Sequence, residues 1–267
     1  MSNGMAHGTQ RIASLVAEME RNGFAVLDNF LNAEQLVQAR TQVMQEVSRR
    51  DGEFFAIHGI EALEGSLLGS LGASGAFRQL LADIYCAGAS AAAPEDEAIF
   101  PVLRCLQGHS GRKESHFYHF DATLVTALVP LFIPVGDADC GDLISFPNIR
   151  PLRRSVIVNV IEKAILHNRF SRRLTALAVA RGWLKPIRIK LVPGNAYLFW
   201  GYRSLHANEP CDPRKLRATA LYHFGNPHRD SSLARLLLGS DKRHARLDYK
   251  GMRRHRNAAL QQAPRRG

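Results

Sequence analysis

The sequence has no apolar run long enough to cross a membrane, since none approaches the ~18 to 20 consecutive apolar residues that such a helix needs. Its N-terminal stretch, MSNGMAHGTQRIASLVAEMERNGF, also lacks the apolar segment and the cleavage pattern of a secretory signal. Cysteine is scarce: Cys86, Cys105, Cys140 and Cys211 are widely spaced and form no CxxC motif. These absences disfavour a disulfide scaffold or a thiolate zinc site, and we expect a protein of the reducing cytoplasm.

Acidic residues are too few to balance the basic ones, with 24 Asp and Glu against 35 Lys and Arg in 267 residues, a net charge of +11. Such an excess suggests nucleic acid or a membrane surface as a partner. However, much of it lies in the stretch DKRHARLDYKGMRRHRNAALQQAPRRG, and charge runs are usually solvated. Aromatic residues that could stack on bases are not interleaved with it. We therefore expect one domain over residues 1–240 and a basic tail over 241–267, and nucleic acid is not the favoured partner.

The first third of the chain predicts helices. Residues Thr9–Asn22 carry an apolar stripe at helical spacing that Gly23 ends, and Asn32 is placed to cap a second helix. A short strand, FAVLDNF, separates the two helices. Residues 61–86 are interrupted by Gly and Ser, which indicates short helices, and AGASAAAPEDEA predicts an exposed loop.

From Ile99 onward the pattern changes to strands. IFPVLRCLQG, the run from Ser115 to Val135, DLISF, IRIKL, AYLFW and RATALYHF all have strand character. One helix is predicted between them, in the segment SVIVNVIEKAILHNRFSRRLTALAVARGWL. Helices followed by strands with one helical insert predict an α+β domain built on an antiparallel sandwich or barrel.

The stretch HFYHFDATL places polar residues in an otherwise apolar run. Because strand side chains alternate between faces, His119 and Asp121 point the same way, where an imidazole and a carboxylate could hold one metal ion. A hydrogen-bonded polar pair within a strand is equally compatible with this spacing. A third ligand is available in His206, which lies 85 residues after Asp121 and follows the apolar strand AYLFW.

An arginine lies on the final predicted strand, RATALYHF. Arg217 and Thr219 share one face of this strand. Since a guanidinium cannot lose its charge, a buried arginine needs an anion, and a carboxylate fits its planar fork. The alternative is an exposed arginine that belongs to the basic run PRKLR.

The order H-x-D, distal His, then Arg eleven residues later resembles that of the Fe(II)- and 2-oxoglutarate-dependent dioxygenases. The segment NGFAVLDNFLNAEQLVQAR is similar to the start of the phytanoyl-CoA dioxygenase-like branch, and the resemblance extends from about Asn22 to Pro227. It implies a double-stranded β-helix, or jelly roll, with supporting N-terminal helices and a helical insert.

The same resemblance implies the site. His119, Asp121 and His206 would bind Fe(II), and Arg217 with Thr219 would bind the far carboxylate of the cosubstrate 2-oxoglutarate. O2 would be the oxidant, and succinate and CO2 would be released as a small molecule is hydroxylated or otherwise oxidised, in secondary metabolism. Four further residues are candidates for substrate contacts: Arg104, Tyr202, Arg203 and His223.

Other functions stay open at this stage. A nucleic-acid or protein demethylase or hydroxylase of the same superfamily would use the positive charge, although the nucleic-acid branch resembles R-x-N-x-T-x-R where this chain has RKLRATALYHF. A non-catalytic jelly roll that binds a sugar or a protein partner is a third possibility. It requires none of the three metal-ligand candidates, so their joint presence favours an enzyme.

Overall fold

The computed structural model describes residues 2–136, 139–153, 155, 158, 162 and 169–228. Most of its helices lie before Phe100 and most of its strands after it, as the sequence pattern predicts. The helices are α1 (Ser2–Asn22), α2 (Ala33–Val47), α3 (Leu67–Gly72), α4 (Gly75–Ala89), α5 (Gly108–Lys113) and α6 (Arg169–Ala180), with a 3-10 turn at Glu61–Leu63. The strands are β1 (Ala25–Leu27), β2 (Phe55–His58), β3 (Phe100–Leu106), β4 (Val125–Phe132), β5 (Leu143–Phe146), β6 (Ile187–Ile189), β7 (Ala196–Trp200), β8 (Leu205–Asn208) and β9 (Arg217–Phe224).

The start of α2 is set locally by a capping box. The Asn32 side chain accepts a hydrogen bond from the Gln35 backbone N–H at 2.8 Å, and the Gln35 side chain accepts one from the Asn32 N–H at 3.0 Å. Both bonds satisfy N–H groups that the helix itself leaves unpaired. The predicted N-cap is thereby confirmed.

Two antiparallel sheets form the β domain. The larger has the strand order β1-β7-β4-β9-β3-β2, and the smaller has the order β6-β5-β8. In the larger sheet, Thr219 lies opposite Arg104 on β3, and His223 lies opposite Thr126 on β4. This register brings chemically active side chains of three strands to one face.

The two faces of the larger sheet have different partners. Outward side chains such as Tyr222 and Phe224 join the main core with the N-terminal helices. Inward side chains such as Leu128 and Phe199 pack with Leu143 of the smaller sheet, so the two sheets face each other. The outer face of the smaller sheet is covered by a third cluster that includes Tyr118 and Phe120, packed with α6. Every central strand is therefore buried on both faces.

Two local predictions need correction. The H-x-D segment is not a continuous strand: β4 begins only at Val125, and His119 forms a single antiparallel bridge with His206. His206 itself lies within β8, whereas the sequence analysis placed it only after the strand AYLFW, because β8 forms by pairing with β5. Tyr118 and Phe120 are nevertheless buried opposite the metal-ligand candidates, so the predicted alternation of faces holds.

Some predictions cannot be compared in full. Of the predicted helical insert, the structure describes α6, while residues 156, 157, 159–161 and 163–168 lie outside the described residues. The predicted basic tail over 241–267 lies outside them as well. Of the helices that the structure describes, none combines the length and apolarity needed to cross a membrane.

Candidate metal centre and anion site

Three side chains converge at the open edge between the two sheets. One ligand atom from each of His119, Asp121 and His206 lies within 4.8 Å of the others. Asp121 Oδ1 is 3.6 Å from Nε2 of His119 and 3.6 Å from Nε2 of His206. The bridge between the two histidines, with reciprocal backbone hydrogen bonds of 3.0 Å, holds both rings on the same side. Two imidazole nitrogens and one carboxylate oxygen thus face a common point, as a facial triad requires.

Backbone contacts assign the tautomer of both rings. His119 Nδ1 lies 2.8 Å from the Phe117 carbonyl oxygen, and His206 Nδ1 lies 3.0 Å from the Ser204 carbonyl oxygen. A carbonyl oxygen can only accept, so each Nδ1 carries the proton and donates it. Each Nε2 therefore keeps its lone pair toward Asp121, which is the arrangement of a metal-binding histidine.

The second oxygen of Asp121 is held by Thr126, which the sequence analysis missed, and lies near His223, which was predicted as a substrate contact. Thr126 Oγ1 donates a hydrogen bond to Asp121 Oδ2 at 2.5 Å. His223 Nδ1 lies 3.3 Å from Thr126 Oγ1 and 3.7 Å from Asp121 Oδ2. Because the threonine proton is used on the carboxylate, the His223 N–H is the donor to Oγ1. This series of hydrogen bonds leaves Oδ1 of Asp121 as the oxygen that points to His119 and His206.

Gly201 makes room for this carboxylate. A Cβ at position 201 would lie 2.2 Å from Asp121 Oδ2 and 2.4 Å from Thr126 Oγ1, which no side chain could relieve without moving the site. The Gly201 carbonyl also accepts the Asp121 backbone N–H at 2.9 Å. Nothing local in the sequence marks Thr126 or Gly201, because both are neighbours of Asp121 only through the folding of β4 and β7.

The electrostatics keep His119 and His223 neutral and Asp121 charged. Burial, helped by the nearby His206, lowers the pKa of His119, and burial also lowers the pKa of His223. Burial alone would raise the pKa of Asp121, but the surrounding histidines and the Thr126 hydrogen bond outweigh it and lower that pKa below its usual value. Neutral imidazoles beside an ionised carboxylate form the protonation state that binds a divalent metal ion.

Arg217 lies further along the inward face of β9. It is 1% exposed, and its Nε donates to the Gly141 carbonyl at 2.7 Å. Within the described part of the chain, neither Nη1 nor Nη2 has a hydrogen-bond partner. Burial and the neighbouring charge of Arg104 lower the pKa of Arg217 to about 10, so the group is still a cation at neutral pH. Two unsatisfied guanidinium nitrogens in the interior are costly unless an anion meets them.

The order of residues along β9 links this arginine to the metal-ligand candidates. His223, beside Asp121, and Thr219 and Arg217 occupy alternate positions on one face. At about 3.3 Å per residue, roughly 13 Å separates the Cα atoms of His223 and Thr219. Both Thr219 and Arg217 are buried. The metal-ligand candidates and Arg217 thus lie toward opposite ends of one inward face.

The remaining predicted substrate residues lie in different surroundings. Arg104 lies opposite Thr219 on the inward face and donates to Glu114 Oε2 at 2.9 Å, whereas Tyr202 and Arg203 lie beyond Gly201. The Tyr202 hydroxyl lies 3.1 Å from His228 Nε2, and Arg203 forms an ion pair with Glu20 of α1. Their roles toward a substrate stay predictions.

Comparisons with known proteins support the fold. No protein-family model and no curated protein sequence matches the chain. Among solved structures, it is similar to a prolyl hydroxylase from Trichoplax adhaerens in complex with a peptide of hypoxia inducible factor, with 15% identity, a TM-score of 0.54 and coverage of 87% of this chain and 97% of that one. AviO1 from Streptomyces viridochromogenes matches with 15% identity, a TM-score of 0.53 and coverage of 81% and 95%.

A third similar structure is SnoN, described as a non-heme alpha ketoglutarate dependent epimerase from nogalamycin biosynthesis. It has 13% identity and a TM-score of 0.52, and the match covers 81% of this chain and 83% of SnoN. At such identities the likeness concerns the fold, and the resemblance to the phytanoyl-CoA dioxygenase-like branch stays a prediction. The chain has the double-stranded β-helix fold of the Fe(II)- and 2-oxoglutarate-dependent oxygenases, with supporting N-terminal helices, as the sequence predicts.

Proposed function

We propose that this protein is an oxygenase that uses Fe(II), 2-oxoglutarate and O2 to oxidise a small organic molecule. The observation that carries the proposal is a pairing of two features between the same sheets. A two-histidine, one-carboxylate triad lies at one end of the inward face. Further along it lies the buried guanidinium of Arg217, two nitrogens of which have no partner in the part of the chain that the structure describes. A generic metal site would not need the second feature.

The triad fits Fe(II) by its donor set. His119, Asp121 and His206 supply two neutral nitrogens and one charged oxygen, and this combination leaves coordination positions open for further ligands. When bound, the metal supplies O2 activation coupled to oxidative decarboxylation of 2-oxoglutarate, which yields succinate and CO2. The protein contributes the placement of the ligand atoms and a buried, largely apolar surrounding.

The end of the inward face that holds Arg217, here called the arginine end, fits the far carboxylate of 2-oxoglutarate. Arg217 Nη1 and Nη2 offer the parallel donors of a bidentate carboxylate contact, and the hydroxyl of Thr219 is two residues away on the same face. The Gly141 carbonyl fixes the guanidinium through Nε, which leaves the two terminal nitrogens for the ligand. Arg104 adds positive charge to this end, although Glu114 offsets part of it.

A small-molecule substrate is the narrower part of the proposal. Arg104, whose guanidinium is only partly exposed, and His223 both lie on the inward face, where they could contact a substrate held near the metal. The similar proteins differ in this respect: one is described in complex with a peptide, and SnoN is described in complex with Fe3+, alpha ketoglutarate and a nogalamycin compound. A substrate panel should therefore contain amino acids, acyl compounds, polyketide-like aromatics and proline-containing peptides.

The first experiment is an anaerobic titration of the metal-free protein with Fe(II) and 2-oxoglutarate. We expect a weak visible charge-transfer band that requires both additions and does not form when succinate replaces 2-oxoglutarate. Under air, the substrate panel is then screened for succinate production above the level without substrate.

Asp121→Ala should abolish the band, and its matched control is Asp83→Ala, which removes a partly exposed carboxylate of α4 and should leave the band unchanged. Binding of Fe(II) with no detectable 2-oxoglutarate binding would contradict the assignment of cosubstrate. If Fe(II) also fails to bind, the oxygenase proposal as a whole is wrong. If only proline-containing peptides stimulate succinate release, the small-molecule part is wrong and a protein hydroxylase replaces it.

A further inference from the structure

Two cysteines face each other next to the arginine end. The segment 139–141 pairs with the segment 210–212 through two backbone hydrogen bonds: Gly141 N–H to the Pro210 carbonyl at 3.0 Å, and Asp212 N–H to the Asp139 carbonyl at 2.9 Å. Cys140 and Cys211 are thus directly opposite each other in an antiparallel bridge. Neither cysteine is part of a disulfide in this structure.

The hydrogen-bond pattern identifies the type of pair. The bonds come from the residues on either side of the cysteines, so Cys140 and Cys211 form a non-hydrogen-bonded pair. In such pairs the Cα atoms are ~4.5 Å apart and the side chains point to the same side of the sheet. Disulfides join Cα atoms that are ~4.4 to 6.8 Å apart, so this backbone can accept a bond without a change of fold.

We infer that Cys140 and Cys211 form a thiol pair that an oxidant converts to a disulfide. Cys140 is partly exposed and meets the oxidant first, while Cys211 is buried behind it. Burial raises the pKa of Cys211, which also makes it the poorer first nucleophile. With a peroxide, Cys140 attacks the O–O bond, forms an S–O bond and releases one water. The thiol of Cys211 then attacks the Cys140 sulfur, the S–S bond forms and the S–O bond breaks. The released hydroxyl takes up the Cys211 proton and leaves as a second water.

The position of this pair connects it to Arg217. The Gly141 carbonyl accepts from Arg217 Nε, and a Cβ at Gly141 would lie 2.5 Å from Arg217 Cδ and 3.5 Å from Cys211 Cβ. Disulfide-linked Cα atoms are most often ~5.5 to 6 Å apart, about 1 Å more than the ~4.5 Å typical of a non-hydrogen-bonded pair. The bond should therefore displace Gly141 and loosen its hydrogen bond with Arg217, which orients the guanidinium.

This coupling rests on the proposed function, because it assumes that Arg217 binds 2-oxoglutarate. Loss of one hydrogen bond of typical strength corresponds to roughly fivefold in affinity. We therefore expect the oxidised protein to bind 2-oxoglutarate roughly fivefold more weakly than the reduced protein. The formation of the disulfide itself does not depend on any ligand.

The test uses the full chain, freed of metal with a chelator so that iron does not react with the oxidant. A small excess of hydrogen peroxide or oxidised glutathione is added, and intact mass and peptide mapping are recorded. We expect loss of two hydrogens and a linked pair of peptides containing Cys140 and Cys211. Cys86→Ser removes the exposed cysteine and should keep the linkage, whereas Cys140→Ser and Cys211→Ser should each abolish it.

Oxidation of Cys86 in the folded wild-type chain without any Cys140–Cys211 linkage would overturn the proposal, whatever the variants do. A linkage that forms only in urea would overturn it too, since the native pairing would not be its cause. The coupling is measured by calorimetric titration of 2-oxoglutarate into the Mn(II)-loaded protein in both redox states. Equal affinities would overturn the coupling and leave the thiol pair, and no binding in either state would count against the proposed function alone.

Discussion

The two ends of the inward face of β9 differ in how completely their polar atoms are satisfied. At the metal end, Asp121 Oδ2 is bonded to Thr126, and the Nδ1 atoms of His119 and His206 lie against backbone carbonyls. At the arginine end, Arg217 has one bonded nitrogen and two that have no partner among the described residues. The metal end is thus held in place by the protein alone, whereas the arginine end is complete only when an anion binds.

This difference predicts separate behaviour for the two ends. A preorganised set of ligand atoms should bind metal ions without the cosubstrate, because little conformational entropy is left to lose. A buried guanidinium destabilises the empty protein and is compensated when a carboxylate arrives. Variants of each end should therefore change one binding event and spare the other.

The largest effect is expected for Asp121→Ala, which removes the only carboxylate of the triad. Without it, two neutral imidazoles remain, and divalent metal binding should be lost together with all succinate formation. The fold should persist, since the side chain is held by contacts within the site. Calorimetric titration with Mn(II) measures metal binding, and thermal unfolding of the same sample measures whether the fold persists. Normal Mn(II) binding in the variant would refute the assignment of Asp121 as a metal ligand.

Arg217→Ala should produce the next largest effect, and only on the cosubstrate. Leaving one partner of a buried charge pair alone costs ~3 to 5 kcal/mol, so 2-oxoglutarate should bind roughly a hundredfold or more weakly. Arg217→Lys should restore part of this loss, because an ammonium lacks the planar fork. The measurement is the 2-oxoglutarate binding constant at saturating Mn(II).

The matched control for that experiment is Arg214→Ala. Arg214 is exposed and paired with Asp212, three residues before Arg217, and its removal should leave 2-oxoglutarate affinity unchanged. An unchanged constant in Arg217→Ala with a weakened one in Arg214→Ala would reverse the assignment of the anchor.

Thr126→Val sharpens the comparison at the metal end. Valine keeps the volume of threonine but removes the donor to Asp121 Oδ2, so the carboxylate loses its fixed orientation. Partners of metal ligands typically contribute 10- to 100-fold to metal affinity, and we expect a loss in this range. Thr126→Ser should retain most of the affinity because it keeps the hydroxyl. Equal Mn(II) affinity in wild type and Thr126→Val would show that Thr126 does not position Asp121.

The smallest effect is expected in the pH dependence of stability of the metal-free protein. The pKa values of His119 and His223 are lowered in the folded state, so below pH ~6.5 the unfolded chain binds more protons than the folded one. The free energy of unfolding should therefore fall as the pH drops from about 7 to 5, by at most ~1.4 kcal/mol per pH unit for each histidine. The lowered pKa of Asp121 stabilises the folded protein at all pH values above about 4, and this contribution is lost only as the pH falls below that value.

Urea unfolding of wild type and His223→Gln at pH 7 and pH 5 tests this expectation. The variant lacks one of the two histidines that must stay neutral, so its loss of stability over this range should be smaller. An identical loss in both proteins would exclude His223 as a contributor.

Much of the candidate site could be predicted because its signals are local or ordered along the chain. The capping box at Asn32 needs only residues three apart, and the His119 and Asp121 pair is two residues apart. Arg217 and Thr219 share a face for the same reason. By contrast, the sequence analysis did not predict the strand β8 that contains His206, because that strand exists only through pairing with β5.

The sequence by itself determined which side chains could bind a metal ion and an anion, and the alternation of apolar residues that buries both faces of the sheet. Only the tertiary structure decided which other residues contact these metal- and anion-binding side chains. Thr126 reaches Asp121 through the turn into β4, whereas Gly201 meets Asp121, and Cys140 meets Cys211, through the pairing of segments distant in sequence. A shift of one residue in that register would turn every side chain to the other face, and no local pattern specifies it, because register depends on the packing of the whole core.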